Sequence, residues 1–215
     1  MSRSRSTGLS LRERWALAAL DRVSALYLGF RPPVNDEAIR SLGVRGYMRW
    51  SMTTGKVMKA LATALGEAEA QFVIGFAGLW LGCGYCGAGH VHAGNLLVFR
   101  DRGALTPLSD AALRELYETP DEAAAAKIAA LLSDPSYARL RGLLLRLYAL
   151  RGGARPDQPE DAALAAALSC WEWVTECTIV AGLEMPLEAV PPLTPLFKDK
   201  ALRERYAAAR AAAEG

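Results

Sequence analysis

The sequence predicts an all-α fold, a compact multi-helix bundle, on three observations. Apolar residues recur at helical intervals along most of the chain, as at Leu11, Trp15, Ala19, Val23 and Leu26. The junctions between these runs carry helix starts and stops, with Ser or Asp before a run and Gly or Pro after it. No stretch shows the period-two alternation that a half-buried strand requires.

Each element follows from these signals. Residues 1–8 carry no apolar pattern and are expected to form a disordered tail. Ser10 and Glu13 have the spacing of a capping box, so a helix is expected over 11–28, ended by Arg31-Pro32-Pro33. A short helix through Leu42 follows, broken at Gly43 and Gly46, and a longer one over 47–65 closes at Gly66. Residues 67–81 are apolar nearly all round and are expected to form a buried helix. Gly82 permits a turn into a further helix over about 83–99. Ser109, Pro120 and Pro135 mark the starts of helices over 110–118, 120–133 and 136–151. Helices over 160–183 and 196–213 complete the chain, with a proline-rich connection between them. Residues 9–215 read as one domain, with Gly152 to Pro159 the place for a hinge between two helical halves.

Composition narrows the function classes. A length of 215 residues suits one domain with a substantial core, and 52% hydrophobic with 22% charged residues is ordinary for a soluble protein. A net charge of +2 argues for no nucleic-acid partner, and Glu13, Arg14, Asp21 and Arg22 interrupt any secretory signal core. The 28 residues Phe72–Phe99 carry no Asp, Glu, Lys or Arg, long enough for a bilayer span. Seven glycines, two histidines and Asn95 within them favour a buried helix pair instead. Four cysteines are too few for a disulfide scaffold, and the closeness of two of them points to chemistry in a reducing, cytoplasmic setting.

That chemistry lies in Cys83-Gly-Tyr-Cys86-Gly-Ala-Gly-His90-Val-His92, which holds the only two histidines of the chain. On a helix, Cys83, Cys86 and His90 fall at i, i+3 and i+7, along one stripe. Two thiols at a helix start can form a disulfide or hold one sulfur as thiolate, because the free N–H groups there favour negative charge. A histidine one turn on can take or return the proton. Four metal-ligand types are present, but His90 and His92 are about 200° apart on a helix and cannot both reach one zinc ion. Covalent haem requires histidine directly after the second cysteine, where Gly87 stands.

Gln71, followed twelve positions later by Cys83-x-x-Cys86-x-x-x-His90-x-His92, resembles the active-site segment of the alkylhydroperoxidase D / carboxymuconolactone decarboxylase family. The resemblance covers roughly residues 69–95. It implies a helical bundle assembled as a homo-oligomer (trimer, hexamer or dimer), and a hydroperoxide or disulfide substrate. A lipoyl protein or a peroxiredoxin is the partner it implies. It also makes Cys86 the attacking thiol and Cys83 its disulfide partner, with no bound cofactor beyond that redox-active pair. His90 becomes the proton-transfer residue and His92 an auxiliary neighbour. The family usually has glutamate at the position of Gln71, and an amide cannot relay a proton at neutral pH. Glu67, one turn earlier, is the candidate substitute, and Glu69 is on another face.

Cys170 and Cys177, two turns apart, are too distant for a mutual disulfide and read as small core residues. Trp171 and Trp173 read as core or subunit interface, and Glu172 and Glu176 as a wet helix face. The expected function is a thiol-dependent peroxidase or disulfide reductase. The alternatives are a non-catalytic, ligand-binding helical protein or a lactone decarboxylase.

Overall fold

The computed structural model describes residues 8–180 and 186–214, apart from the side chains of 173, 174 and 176–180. Among the described residues there are nine α-helices and no strand, so the all-α expectation holds. They are α1 (Leu11–Leu28), α2 (Val34–Leu65), α3 (Glu67–Trp80), α4 (Gly84–Arg102), α5 (Asp110–Glu118), α6 (Asp121–Leu131), α7 (Ala138–Arg151), α8 (Asp161–Val180) and α9 (Lys200–Glu214). Short 3-10 turns lie at Pro135–Tyr137, Leu187–Ala189 and Pro195–Lys198. The expected tail over 1–7 and the expected end of α8 at 181–183 lie outside the described residues.

Local chemistry places most boundaries. The Ser10 hydroxyl accepts from the Glu13 N–H while Glu13 accepts from the Ser10 N–H, closing the capping box of α1. Ser109 caps α5 through the Ala112 N–H. Gly43, at φ 66° and ψ 169°, bends α2 where a break was expected, whereas Gly46 stays helical. The uncharged run from Phe72 to Phe99 is divided between α3 and α4 by the turn at Leu81–Cys83, where Gly82 adopts φ 89°. No helix of the described residues is long and apolar enough to cross a membrane.

The α3–α4 pair is the centre of the molecule. α2, α7 and α8 pack around α3, while α9 lies against α4. Phe72, Val73, Phe76, Ala77, Ala88 and Val91 are fully buried between them. Small residues permit the close approach. A Cβ on Gly75 would stand 3.0 Å from the Gly87 carbonyl oxygen and 2.7 Å from Val91 Cγ2, and one on Gly87 would overlap Leu79. Buried Asn95 fixes the exit of α4 by donating to the Leu108 carbonyl at 2.8 Å and accepting from Thr106. Between α7 and α8, buried Asp161 accepts from Arg146 Nε at 2.8 Å and from the backbone N–H groups of Asp157 and Gln158. The Arg146 guanidinium beside it holds its carboxyl well below the usual range.

One face was not legible. Leu11, Trp15, Val23 and Leu26, which define the periodicity of α1, are exposed, with Trp15 at 72% and Leu26 at 75%. α1 instead meets Ala38, Ile39 and Tyr47 of α2 through Ala16, Leu17 and Leu20. Both faces of α1 are apolar, so period alone does not tell which one a single chain covers.

Two glycine substitutions test the packing. Gly75→Ala is expected to lower stability by about 1–3 kcal/mol through overpacking against backbone. Gly142→Ala, in open space on α7, is expected to raise it by roughly 0.5–1 kcal/mol. Urea unfolding of both variants checks this, and equal effects would refute the close α3–α4 contact.

Candidate functional site

The turn after α3 delivers Cys83 to the N-cap of α4, just outside the helix, rather than into its first turn. The Cys83 sulfur accepts from the Cys86 N–H at 3.2 Å. The two cysteines form a disulfide with Cα atoms 5.4 Å apart. A bridge closing so short a loop removes little chain entropy, less than a long-range staple would. Both residues are buried, at 2% and 4% exposure. Leu187 and the ring of Tyr117 occupy the space over Gly84, and Leu193 that over Gly89. Thus one set of glycines admits α3, and another admits the segment 187–193. This segment is pinned to α4 by the Leu193 N–H, which donates to the Gly89 carbonyl at 2.8 Å.

His90 lies one turn beyond Cys86 and faces α3. Its Nδ1–H donates to Gln71 Oε1 at 2.7 Å. A carbonyl oxygen only accepts, so this bond puts the proton on Nδ1 and leaves the Nε2 lone pair free. Burial pushes the imidazole down to about 3, and the ring is neutral at physiological pH. Trp171 of α8 packs on its other side, with ring centroids 5.3 Å apart and planes at 49°.

His92 turns away from that pair. Its Nδ1–H donates to the Val190 carbonyl at 2.9 Å, and Nε2 lies 3.1 Å from Asp110 Oδ1, off the direction of a good hydrogen bond. The His92 ring, followed by Arg210 and Arg114, holds the Asp110 carboxyl below its ordinary range. The two imidazoles therefore serve different elements and do not converge on one point.

Glu67 is exposed, and its carboxylate meets Arg100 Nη2 at 3.5 Å instead of turning inward to Gln71. Cys170 is half-buried against the Thr54 hydroxyl at 3.2 Å, and burial pushes its thiol up. Glu172 is exposed. The side chains of Trp173, Glu176 and Cys177 lie outside those described.

A cavity of about 710 Å³ opens beside the site, with Leu28, Met58, Gln71, His90, Arg100 and Leu193 in its walls. It reaches the imidazole and its amide partner, whereas the two sulfurs are not among its lining residues. A scan against protein-family models, a search of curated proteins and a search of solved structures each return no match to this chain.

Trp171, Asp110 and Val190 are the neighbours that sequence reading missed. Each lies about 20 to 100 positions from the histidine it meets, and no local spacing signals such a contact.

Because the ordinary imidazole value is 6.5 and the folded value is about 3, the unfolded chain takes up a proton that the folded chain refuses. Stability from this group is present above pH 6.5 and declines as pH falls towards 3. The melting temperature of the oxidised protein is expected to drop more steeply between pH 7 and 5 than that of His90→Asn, and parallel curves would refute the buried neutral ring. Gln71→Glu places a carboxylate against Nδ1. It is expected to raise the imidazole pKa, read from NMR titration of its carbon-bound proton.

Proposed function

We propose that this chain is a thiol-dependent oxidoreductase that cycles Cys83 and Cys86 between disulfide and dithiol. The observation that carries the reading is the bonded cysteine pair at the start of a buried helix. One turn later comes an imidazole whose free nitrogen is selected by Gln71. In the reduced state Cys86, at the first turn of α4, benefits from the positive helix end and gives its proton to His90 Nε2. Its thiolate attacks a partner's disulfide sulfur, and Cys83 then displaces the partner from the mixed disulfide. With a hydroperoxide, the thiolate attacks the terminal oxygen, giving a sulfenic acid and an alcohol. Cys83 then expels water and restores the disulfide.

Gln71 shifts the balance between these substrates. A ring buried beside a neutral amide accepts a proton only as an anion forms next to it, and the amide cannot pass that proton on. Disulfide exchange needs no dedicated acid, so a disulfide substrate suits the site better than a peroxide. By the family resemblance, the partner is a lipoyl protein or a peroxiredoxin, and the chain works as a cytoplasmic homo-oligomer. The exposed apolar stripe of α1 supports assembly.

A second reading rests on the cavity. Its walls include His90 and Gln71 without the sulfurs, which suits a protein that binds a small ligand, or an acid–base lactone decarboxylase, with the thiols idle.

Turnover of a model disulfide and of an alkyl hydroperoxide, driven by a dithiol, separates the two. Cys86→Ser is expected to lose at least about 100-fold in rate. Cys83→Ser should complete one turnover and leave a trappable mixed disulfide or sulfenic acid, and Cys170→Ser should match wild type. Full turnover by Cys86→Ser would sink the redox reading in favour of the second.

A further inference from the structure

Two side chains near the cysteine pair bury a polar hydrogen without a partner: the Tyr85 hydroxyl and the Trp171 indole N–H. Trp171 is 6% exposed. A buried donor left unpaired costs free energy in every folded molecule, so each instance calls for a physical reason.

The position of Trp171 supplies one. A Cβ built on Gly78 would lie 3.1 Å from Cys86 Cβ and 3.2 Å from Trp171 Cδ1. Cδ1 is bonded to Nε1, so the N–H edge of the indole and Cys86 share the space that Gly78 leaves empty. The same indole packs against His90. Trp171 thus borders both Cys86 and His90, and its nitrogen can only donate. A neutral disulfide sulfur is a poor acceptor, whereas a thiolate is a strong one.

We propose that the Trp171 N–H is the donor that stabilises the Cys86 thiolate, unpaired in the disulfide state and satisfied on reduction. The inference rests on the oxidoreductase reading. The reduction it assists is balanced by a dithiol. One thiolate of the reductant attacks Cys86 Sγ, the Cys83–Cys86 bond breaks, and Cys83 leaves and is protonated. The second thiol of the reductant displaces Cys86 from the mixed disulfide and closes the reductant's own disulfide. Two electrons have moved to the protein, one proton rests on Cys83, and the other goes to His90 Nε2 as Cys86 departs as thiolate.

Trp171→Phe keeps an aromatic ring and removes the donor. The reduced variant is expected to show Cys86 alkylation about ten-fold slower at pH 7, with its pH profile displaced upward by about one unit. Its dithiothreitol midpoint should move towards the oxidised form. The oxidised variant should melt no lower than wild type, because the lost N–H had no partner there, a pattern that loss of packing would not produce. Tyr85→Phe is expected to leave the alkylation profile unchanged. Should Trp171→Phe fold poorly, wild type labelled with nitrogen-15 tryptophan serves instead, since one of the five indole proton resonances should move downfield on reduction.

An unchanged profile in Trp171→Phe, a shift produced by Tyr85→Phe instead, or indole resonances indifferent to reduction would each overturn the assignment while leaving the redox reading standing. A wild-type Cys86 that alkylates like an ordinary thiol would overturn both.

Discussion

The close approach of α3 and α4 is the constraint on which the rest depends. Gly75 and Gly78 on one helix, and Gly87 and Gly94 on the other, leave out side chains where Val91, Cys86, Leu79 and Phe72 must fit. Each glycine within a helix costs on the order of 1 kcal/mol relative to alanine, so the run is stable only because the contact it permits is dense and apolar. That contact sets Gln71 opposite His90 at hydrogen-bond distance. It also brings the turn at Gly82 round so that Cys83 caps α4. The site is therefore a by-product of one helix–helix interface, with its sulfur end at the turn and its imidazole end one and a half turns into α4.

Burial then decides the electrostatics. His90 has a neutral amide and an indole as its neighbours, and desolvation removes any tendency to carry charge in the disulfide state. A carboxylate in place of Gln71 would favour the imidazolium but would itself have to be desolvated between the helices. The amide keeps the ring oriented without that cost, and it cannot itself pass a proton on. In the proposed redox cycle, charge at the site arises only when the disulfide opens, and the groups able to answer it are the α4 N-terminus, His90 and the indole donor of α8.

The outer side of α4 is closed by chain from far along the sequence. Leu187, Val190 and Leu193 lie along the helix, over Gly84, His92 and Gly89 in turn. His92 holds this segment through the Val190 carbonyl and faces Asp110 at the start of α5, tying two elements to the motif helix. The adjacent histidines therefore divide their tasks: one points inward to the candidate chemistry, and the other fastens the cover.

Sequence alone determined what local physics controls. The caps at Ser10 and Ser109, the bend at Gly43 and the turn at Gly82 rest on residues within a few positions of one another, and each stands where side-chain chemistry puts it. The divergence of His90 and His92 follows from helical angle. Tertiary structure decided the rest. It chose the covered face of α1, because two apolar faces compete and only the partner surface on α2 selects between them. It turned Glu67 outward to Arg100, and it brought Trp171 from α8 against His90 and into the space beside Gly78 that Cys86 also borders. Such contacts join residues tens of positions apart. They are fixed by how whole helices fill space together, and no periodicity or spacing within one segment encodes that.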